Sequence, residues 1–256
     1  MSVPRGKLFA GQASAARITF YDSSDDVRSY YAIRQGLTGM ARRDHHIQAV
    51  GRGTYVLISA LWEAFCEDLA HEAVRILVAG AHDWTGLPAP LARRIAKEVK
   101  ADAHELSPWQ LTGDGWRNHA LERVDRLART TIFNTPKAAQ VNQFFADAVG
   151  IGRISDSWMT TFAGDELPGV ALDRAIVTRG AIAHGERPRK TLTKKEISLF
   201  YQLVSDLVDC TELAVAEHIE TVVGTRPWVS CDNPEVADSG FVTALVDSKQ
   251  SPTLDC

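Results

Sequence analysis

From Ile58 to Leu77 the apolar residues Ile58, Leu61, Trp62, Phe65, Leu69, Ala73, Ile76 and Leu77 step by three and four, while Glu63, Glu67, Asp68, His71 and Glu72 fall largely elsewhere. A stripe that recurs at about 3.6 residues belongs to a helix with one face in a core. Nearly every other segment with a period repeats the same one, and none alternates at period two for long enough to build a sheet. The chain is therefore expected to be all-α. Its 256 residues, 45% hydrophobic and 23% charged, suffice to bury one core under a solvated surface.

Punctuation along the chain sets the expected elements. Ser23, Ser24, Asp25 and Asp26 start a helix that runs to about His46, and Gly51 to Gly53 break it. Gly80, Gly86, Pro88 and Pro90 mark a loop before a short basic helix from Leu91 to about Ala103. Trp116, Leu121, Val124 and Leu127 suit a helix within Gly113 to Thr131. Phe133-Asn134-Thr135-Pro136 reads as a stop and a start, with Asn134 or Thr135 capping a helix that opens at Pro136 and ends near Gly150. A loop at Gly164 to Gly169 precedes a helix from Val170 or Leu172 to His184. Thr193 and Glu196 have capping-box spacing, and Ile197, Phe200, Val204, Leu207 and Val208 carry the next helix to about Val222. These signals outline one helical domain over residues 1–224, its core at about 25–222. Residues 225–256 are expected to form an extended or mobile tail, with Trp228 and Phe241 available to dock it.

Several function classes drop out. A formal charge of -4 argues against a protein that coats nucleic acid over its whole surface, so any polyanion contact is local. The first twenty residues lack a signal-peptide core, and the apolar run Tyr55 to Phe65 is interrupted and too short for a bilayer, which predicts a cytoplasmic protein without a membrane partner. Cys66, Cys210, Cys231 and Cys256 have no C-x-x-C spacing and read as reduced thiols, Cys66 and Cys210 within apolar helix faces. His71-Glu72 begins like a zinc-protease helix, but Arg75 stands where the second histidine is needed, so no metal site is expected. Phosphate-binding loop, dinucleotide and nucleophile-elbow signatures are absent, and no cofactor is expected.

Chemistry concentrates at Arg179-Gly180-Ala181-Ile182-Ala183-His184-Gly185. From Arg174 to Lys195 seven Lys/Arg, among them Arg187, Arg189, Lys190, Lys194 and Lys195, face one acid, Glu186. An imidazole titrates near neutrality and moves protons, while a guanidinium stays charged and offers a fork to two phosphate oxygens. RNA cleavage needs those roles: the 2′-hydroxyl loses a proton as it attacks phosphorus, and charge building on the phosphate is held. On an ideal helix five residues put the two side chains about 140° and about 7.5 Å apart, so they converge only if Arg179 reaches round or the helix end unwinds. One histidine cannot be acid and base at one instant, and a two-fold homodimer supplies two. The competing reading is plain helix capping, since Gly185 ends helices and cations suit C-termini.

Three stretches resemble the HEPN superfamily, particularly its RiboL-PSP-HEPN group: Leu57 to Phe65 in an early core helix, Phe133 to Pro136 with the helix to Gly150, and Leu172 to Gly185 with Arg-x4-His at its end. The resemblance implies a HEPN-like helical bundle, a homodimer, and metal-independent RNA cleavage in toxin–antitoxin or antiviral defence settings, with an antitoxin or other defence protein as a further partner. Arg179 and His184 match the catalytic positions. Family members usually carry Asn, Asp or His after the arginine, where this chain has Gly180. Glu63, beside Trp62, is a supporting candidate for orienting Arg179 or His184, and the basic turn Arg187, Arg189, Lys190, Lys194, Lys195 is a phosphate track. His45 and His46 are further candidate RNA contacts. The alternative is a non-catalytic helical module for dimerisation or for holding RNA or a partner protein.

Overall fold

A computed structural model describes residues 13–36, 43–129, 135–158, 166–185 and 192–228. Among them are eight α-helices and no strand: α1 Ala15–Ser23, α2 Asp25–Gly36, α3 Arg43–Gly80, α4 Ala89–Ala101, α5 Gly115–Ala128, α6 Ala138–Ala148, α7 Pro168–Ala183 and α8 Lys194–Val223. The all-α expectation holds.

The bundle is organised by α3, whose 38 residues give an axis of about 57 Å. Its apolar stripe is buried as its spacing requires: Ile58, Trp62, Phe65, Leu69, Ala73 and Leu77 are in the core. α8 packs along it, and α1, α2, α5 and α7 cover other sides. Trp62 is fully buried, stacks on Phe65 at 5.9 Å, meets Trp158 edge-on at 6.0 Å and donates its indole N–H to the Pro136 carbonyl at 3.2 Å. Removing such a ring would cost about 3–5 kcal/mol.

Several boundaries differ from the sequence reading, among them the start of α4, which is Ala89 and not Leu91. Gly51 and Gly53 do not break a helix, because α3 runs through both. At Gly51 the helix passes close to its neighbours, where a Cβ would lie 3.2 Å from Ile197 Cδ1 and 3.6 Å from the Tyr30 hydroxyl. The glycine there serves an approach between helices rather than a turn. The helix expected to reach His46 is described from Asp25 to Gly36, residues 37–42 lie outside the described residues, and His46 belongs to α3. A first helix, α1, precedes the expected start; Ser14 caps it by accepting from the Arg17 amide at 3.0 Å.

Another correction concerns α6, which opens at Ala138 and not at Pro136. Lys137 is at its N-cap and makes no side-chain cap bond; Asn134 lies outside the described residues. The cap comes from another helix, since the Ala138 amide donates to Asp173 Oδ1 of α7 at 2.8 Å. A carboxylate at a helix N-terminus answers both the unsatisfied amides and the dipole. It also fixes α7 against α6. α7 itself begins at Pro168, one turn before Leu172, with proline in its first turn.

Other expectations stand. The capping box of Thr193 and Glu196 is formed, with the Thr193 amide donating to Glu196 Oε2 at 2.8 Å and Thr193 Oγ1 accepting from the Glu196 amide at 3.2 Å. Cys66 is buried and Cys210 half-buried, neither in a disulfide, and burial pushes the Cys66 thiol well up. Trp228 docks, 4% exposed, with its indole N–H on Glu72 Oε1 at 3.0 Å. Residues 229–256, with Phe241, lie outside the described residues. Among the described residues no helix is long and apolar enough to cross a membrane.

Candidate functional site

The motif closes α7. Ala183 is the last helical residue, His184 is the C-cap with φ -83° and ψ 8°, and Gly185 takes φ 75°, the left-handed conformation in which a side chain is disfavoured. The His184 amide still bonds the Gly180 carbonyl at 3.0 Å, so the helix does not unwind before the histidine. Arg179 and His184 therefore leave the helix on different sides.

Those sides are chemically distinct. Ala171, Leu172, Ala175 and Ile176 are buried, and Arg179 continues that inward face, half-buried toward α3. The outward face reads Leu167, Val170, Arg174, Val177, Ala181, His184, at steps of three, four, three, four and three. This is the spacing of a helix-pairing seam. Leu167, Val170 and Val177 are 72%, 53% and 58% exposed, an apolar stripe with no covering among the described residues, interrupted by Arg174, which pairs with Glu166 at 2.8 Å. His184, exposed, ends it.

Inward, Arg179 faces carboxylates without being satisfied by them. Burial pushes the Glu63 carboxyl up, and the Arg179 guanidinium pulls it back down. Arg179 Nε is buried and makes no hydrogen bond among the described residues. One turn along α3, burial together with the charges of Glu63 and Asp68 pushes Glu67 up to about 7.

A Tyr-Thr contact, which sequence reasoning missed, backs this arrangement. Tyr55 is two turns before Glu63 on α3; burial pushes its hydroxyl up to about 12, against the lowering effects of its bond with Thr178 and of Arg174. Its ring lies 4.5 Å from that of Phe200, so one residue ties α3, α7 and α8 together beside the motif. The signal was available, since 55, 59 and 63 share a face of α3.

A model of the RiboL-PSP-HEPN family matches residues 19–217. The chain belongs to the RiboL-PSP-HEPN family. Comparison with curated proteins and with solved structures returned no match. HEPN domains are RNA-related, many of them ribonucleases that bind RNA and dimerise.

Read as a HEPN chain, the remaining expected residues distribute as follows. Gly180 is on α7, and a Cβ there would meet nothing within 4 Å. Lys194 and Lys195 are in the first turn of α8, half-buried and exposed respectively, while Arg187, Arg189 and Lys190 lie outside the described residues. His45 and His46 are exposed, and they share an end of the molecule with the α8 start, because Gln48 donates to the Leu192 carbonyl at 3.2 Å. His71 pairs with Asp125 at 3.4 Å, a structural contact between α3 and α5.

Proposed function

We propose that this HEPN chain is a metal-independent endoribonuclease whose active site forms when two copies pair at the C-terminal ends of their α7 helices. The observation that carries the reading is the seam: an exposed, heptad-spaced apolar stripe on the helix that bears the motif, ending in His184. In the reaction a 2′-oxygen forms a bond to the adjacent phosphorus as the bond from phosphorus to the 5′-oxygen breaks. One His184 takes the 2′-hydroxyl proton and the partner's His184 protonates the departing 5′-oxygen, leaving a cyclic phosphate and a 5′-hydroxyl. Arg179 of each copy, rooted on the inward face, reaches round the end of α7 to hold the phosphate oxygens, with Glu63 orienting the guanidinium and Gly180 leaving room beside it. Lys194, Lys195 and the turn Arg187, Arg189, Lys190 track the RNA backbone.

The seam also constrains the dimer. If two α7 helices paired antiparallel along their whole length, the two His184 residues would stand about 25 Å apart, too far to share one phosphate. Parallel pairing, with the two-fold axis along the seam, brings the two His184 residues together and keeps Val170 and Val177 against the second copy. Family resemblance supports a cytoplasmic role in toxin–antitoxin or antiviral defence, with a partner protein that silences the nuclease.

The test is RNA cleavage in chelator by wild type, His184→Ala and Arg179→Ala, with circular dichroism and sedimentation alongside. Both variants are expected to fold, to dimerise and to lose cleavage. Equal activity in all three proteins would sink the proposal. Ala181→Cys and Val170→Cys are each expected to give a disulfide-linked dimer. A second reading has its own support, since His184 and Gly185 complete the end of α7 as a cap would. On that reading, a non-catalytic dimerisation or RNA- or partner-binding module, both alanine variants lower the melting temperature or change the oligomeric state, and no nuclease phenotype appears.

A further inference from the structure

Beyond the C-terminal end of α3, about 27 Å along the axis from Glu63, the molecule opens a cavity. Its volume is about 540 Å³, between the turn at Trp84–Gly86, α4 and the turn at Ser107–Leu111. The space exists because α4 lines it with Ala92 and Ala96, small side chains one turn apart, opposite Trp116. Leu87 and Ile95 close the buried side, and Trp84, 61% exposed, stands at the mouth. Arg117 steadies this end of the bundle by donating to the Ala81 and His82 carbonyls at 2.8 and 3.0 Å, and its guanidinium lies over Trp116 at 4.2 Å.

One cation lines the cavity, Arg93, exposed on α4. Its neighbours three and four residues away are Ala89, Pro90, Ala96 and Lys97, so no acid faces it across a helical turn. Nearby acids are engaged elsewhere. Glu98 holds Arg123 and Arg126, Asp147 holds Arg94, Asp114 holds Arg117, and Asp83 accepts from Thr85. Cavities of roughly 300–1,000 Å³ with apolar walls and few polar groups are the usual form of small-molecule sites. A single guanidinium suits a single anionic group. A nucleic-acid strand, with a charge at every residue, would find no second lining cation.

We propose that this cavity binds a small organic anion: an aromatic or branched apolar body seated between Ala92, Ala96 and the two tryptophans, with one carboxylate or sulfonate on Arg93. The site is separate from the motif, and its failure would leave the nuclease proposal untouched. The probes are anilinonaphthalene sulfonate and its uncharged relative phenylnaphthylamine, titrated by fluorescence into the full chain. Both are expected to bind saturably with one site. Arg93→Gln should weaken the sulfonate about tenfold, the loss of one charge-assisted contact, and leave the neutral probe unchanged. Ala96 is exposed, so Ala96→Trp fills the cavity without disturbing the core and should abolish binding of both, at an unaltered melting temperature. Unsaturable binding, or equal binding to both variants, overturns the proposal. Binding that appears only after residues 229–256 are removed would give the cavity to the chain's own C-terminal segment and overturn it as well.

Discussion

Two of the places where the described residues take charges out of water treat them in opposite ways. Where α1 meets α8, every buried charge is answered. Glu212, 3% exposed, accepts from the Ser14 amide at 2.7 Å and from Arg17 Nη1 at 3.3 Å, and Asp209 takes Arg17 Nε at 2.9 Å and the Tyr21 hydroxyl at 3.0 Å. Burial raises carboxyls in both places, Asp209 and Glu212 in the first and Glu63 and Glu67 where α3 meets α7, but among the described residues Arg17 closes ion pairs with two carboxylates while Arg179 closes none. The first pattern is how a chain fastens a terminal helix: charges are tolerated inside because each closes on another. The second leaves the half-buried Arg179 without an ion pair among the described residues, on the helix that ends in the exposed His184. On the proposed function, that difference separates a structural ion pair from a site prepared for a ligand.

The largest expected effect comes from breaking the satisfied side. Arg17→Ala strands Glu212 in the core, and losing one partner of a buried pair costs about 3–5 kcal/mol. Urea unfolding should show that loss, while RNA cleavage per folded molecule stays unchanged. A loss under about 1 kcal/mol would mean that water reaches Glu212, and the two regions would no longer contrast.

Arg179→Ala reverses the pattern. No hydrogen bond of Arg179 Nε is lost, so stability should change by less than about 1 kcal/mol. Cleavage should fall about 10²–10³-fold, the usual effect of removing one group that holds transition-state charge. Unfolding and single-turnover cleavage on the same preparation would separate the two losses. A destabilisation as large as that of Arg17→Ala would make Arg179 a structural residue.

The same contrast explains what the sequence could and could not disclose. The 58–77 stripe was legible because only apolar residues face its core, and the capping box at Thr193 because both partners lie within one turn. α1 was not, because its buried face carries Arg17, whose partners are nearly two hundred residues away. The α6 start was misplaced for a like reason: Asp173 caps it from α7. Gly51 looked like a breaker because the Ile197 that requires a small residue there is distant in sequence. The motif itself could be read, yet its division into an inward Arg179 and an outward His184 needed the burial of α7 around it, and Tyr55 needed its Thr178 partner.

Glu67 offers a finer test of the unsatisfied region. Its carboxyl titrates at about 7 in the folded chain against 4.5 without the fold, so the folded state holds the proton more tightly. This contribution is fully present below pH 4.5, declines as pH rises through the window, and is gone above about 7. Glu67→Gln cannot ionise, so it should be more stable than wild type at pH 8 and equal to it near pH 4.5. Partial exposure screens the charge, which reduces the expected gain to about 1 kcal/mol. Equal stability of the two proteins at both pH values would show that Glu67 ionises as freely as in water.

The smallest effect is expected at Gly180, and it bears most directly on why the α7 charges go unanswered. Nothing in the fold requires glycine: the residue is helical and a Cβ would meet no atom within 4 Å. Asparagine there should gain a few tenths of a kcal/mol from helix propensity alone, and alanine somewhat more. The two substitutions therefore separate backbone from chemistry. If the open space beside Arg179 is where a polar group steadies the bound phosphate, Gly180→Asn raises the cleavage rate a few-fold while Gly180→Ala does not, although alanine is the more stabilising. A parallel rise in both would assign the gain to a firmer helix end, and the open space at Gly180 would then have no part in the reaction.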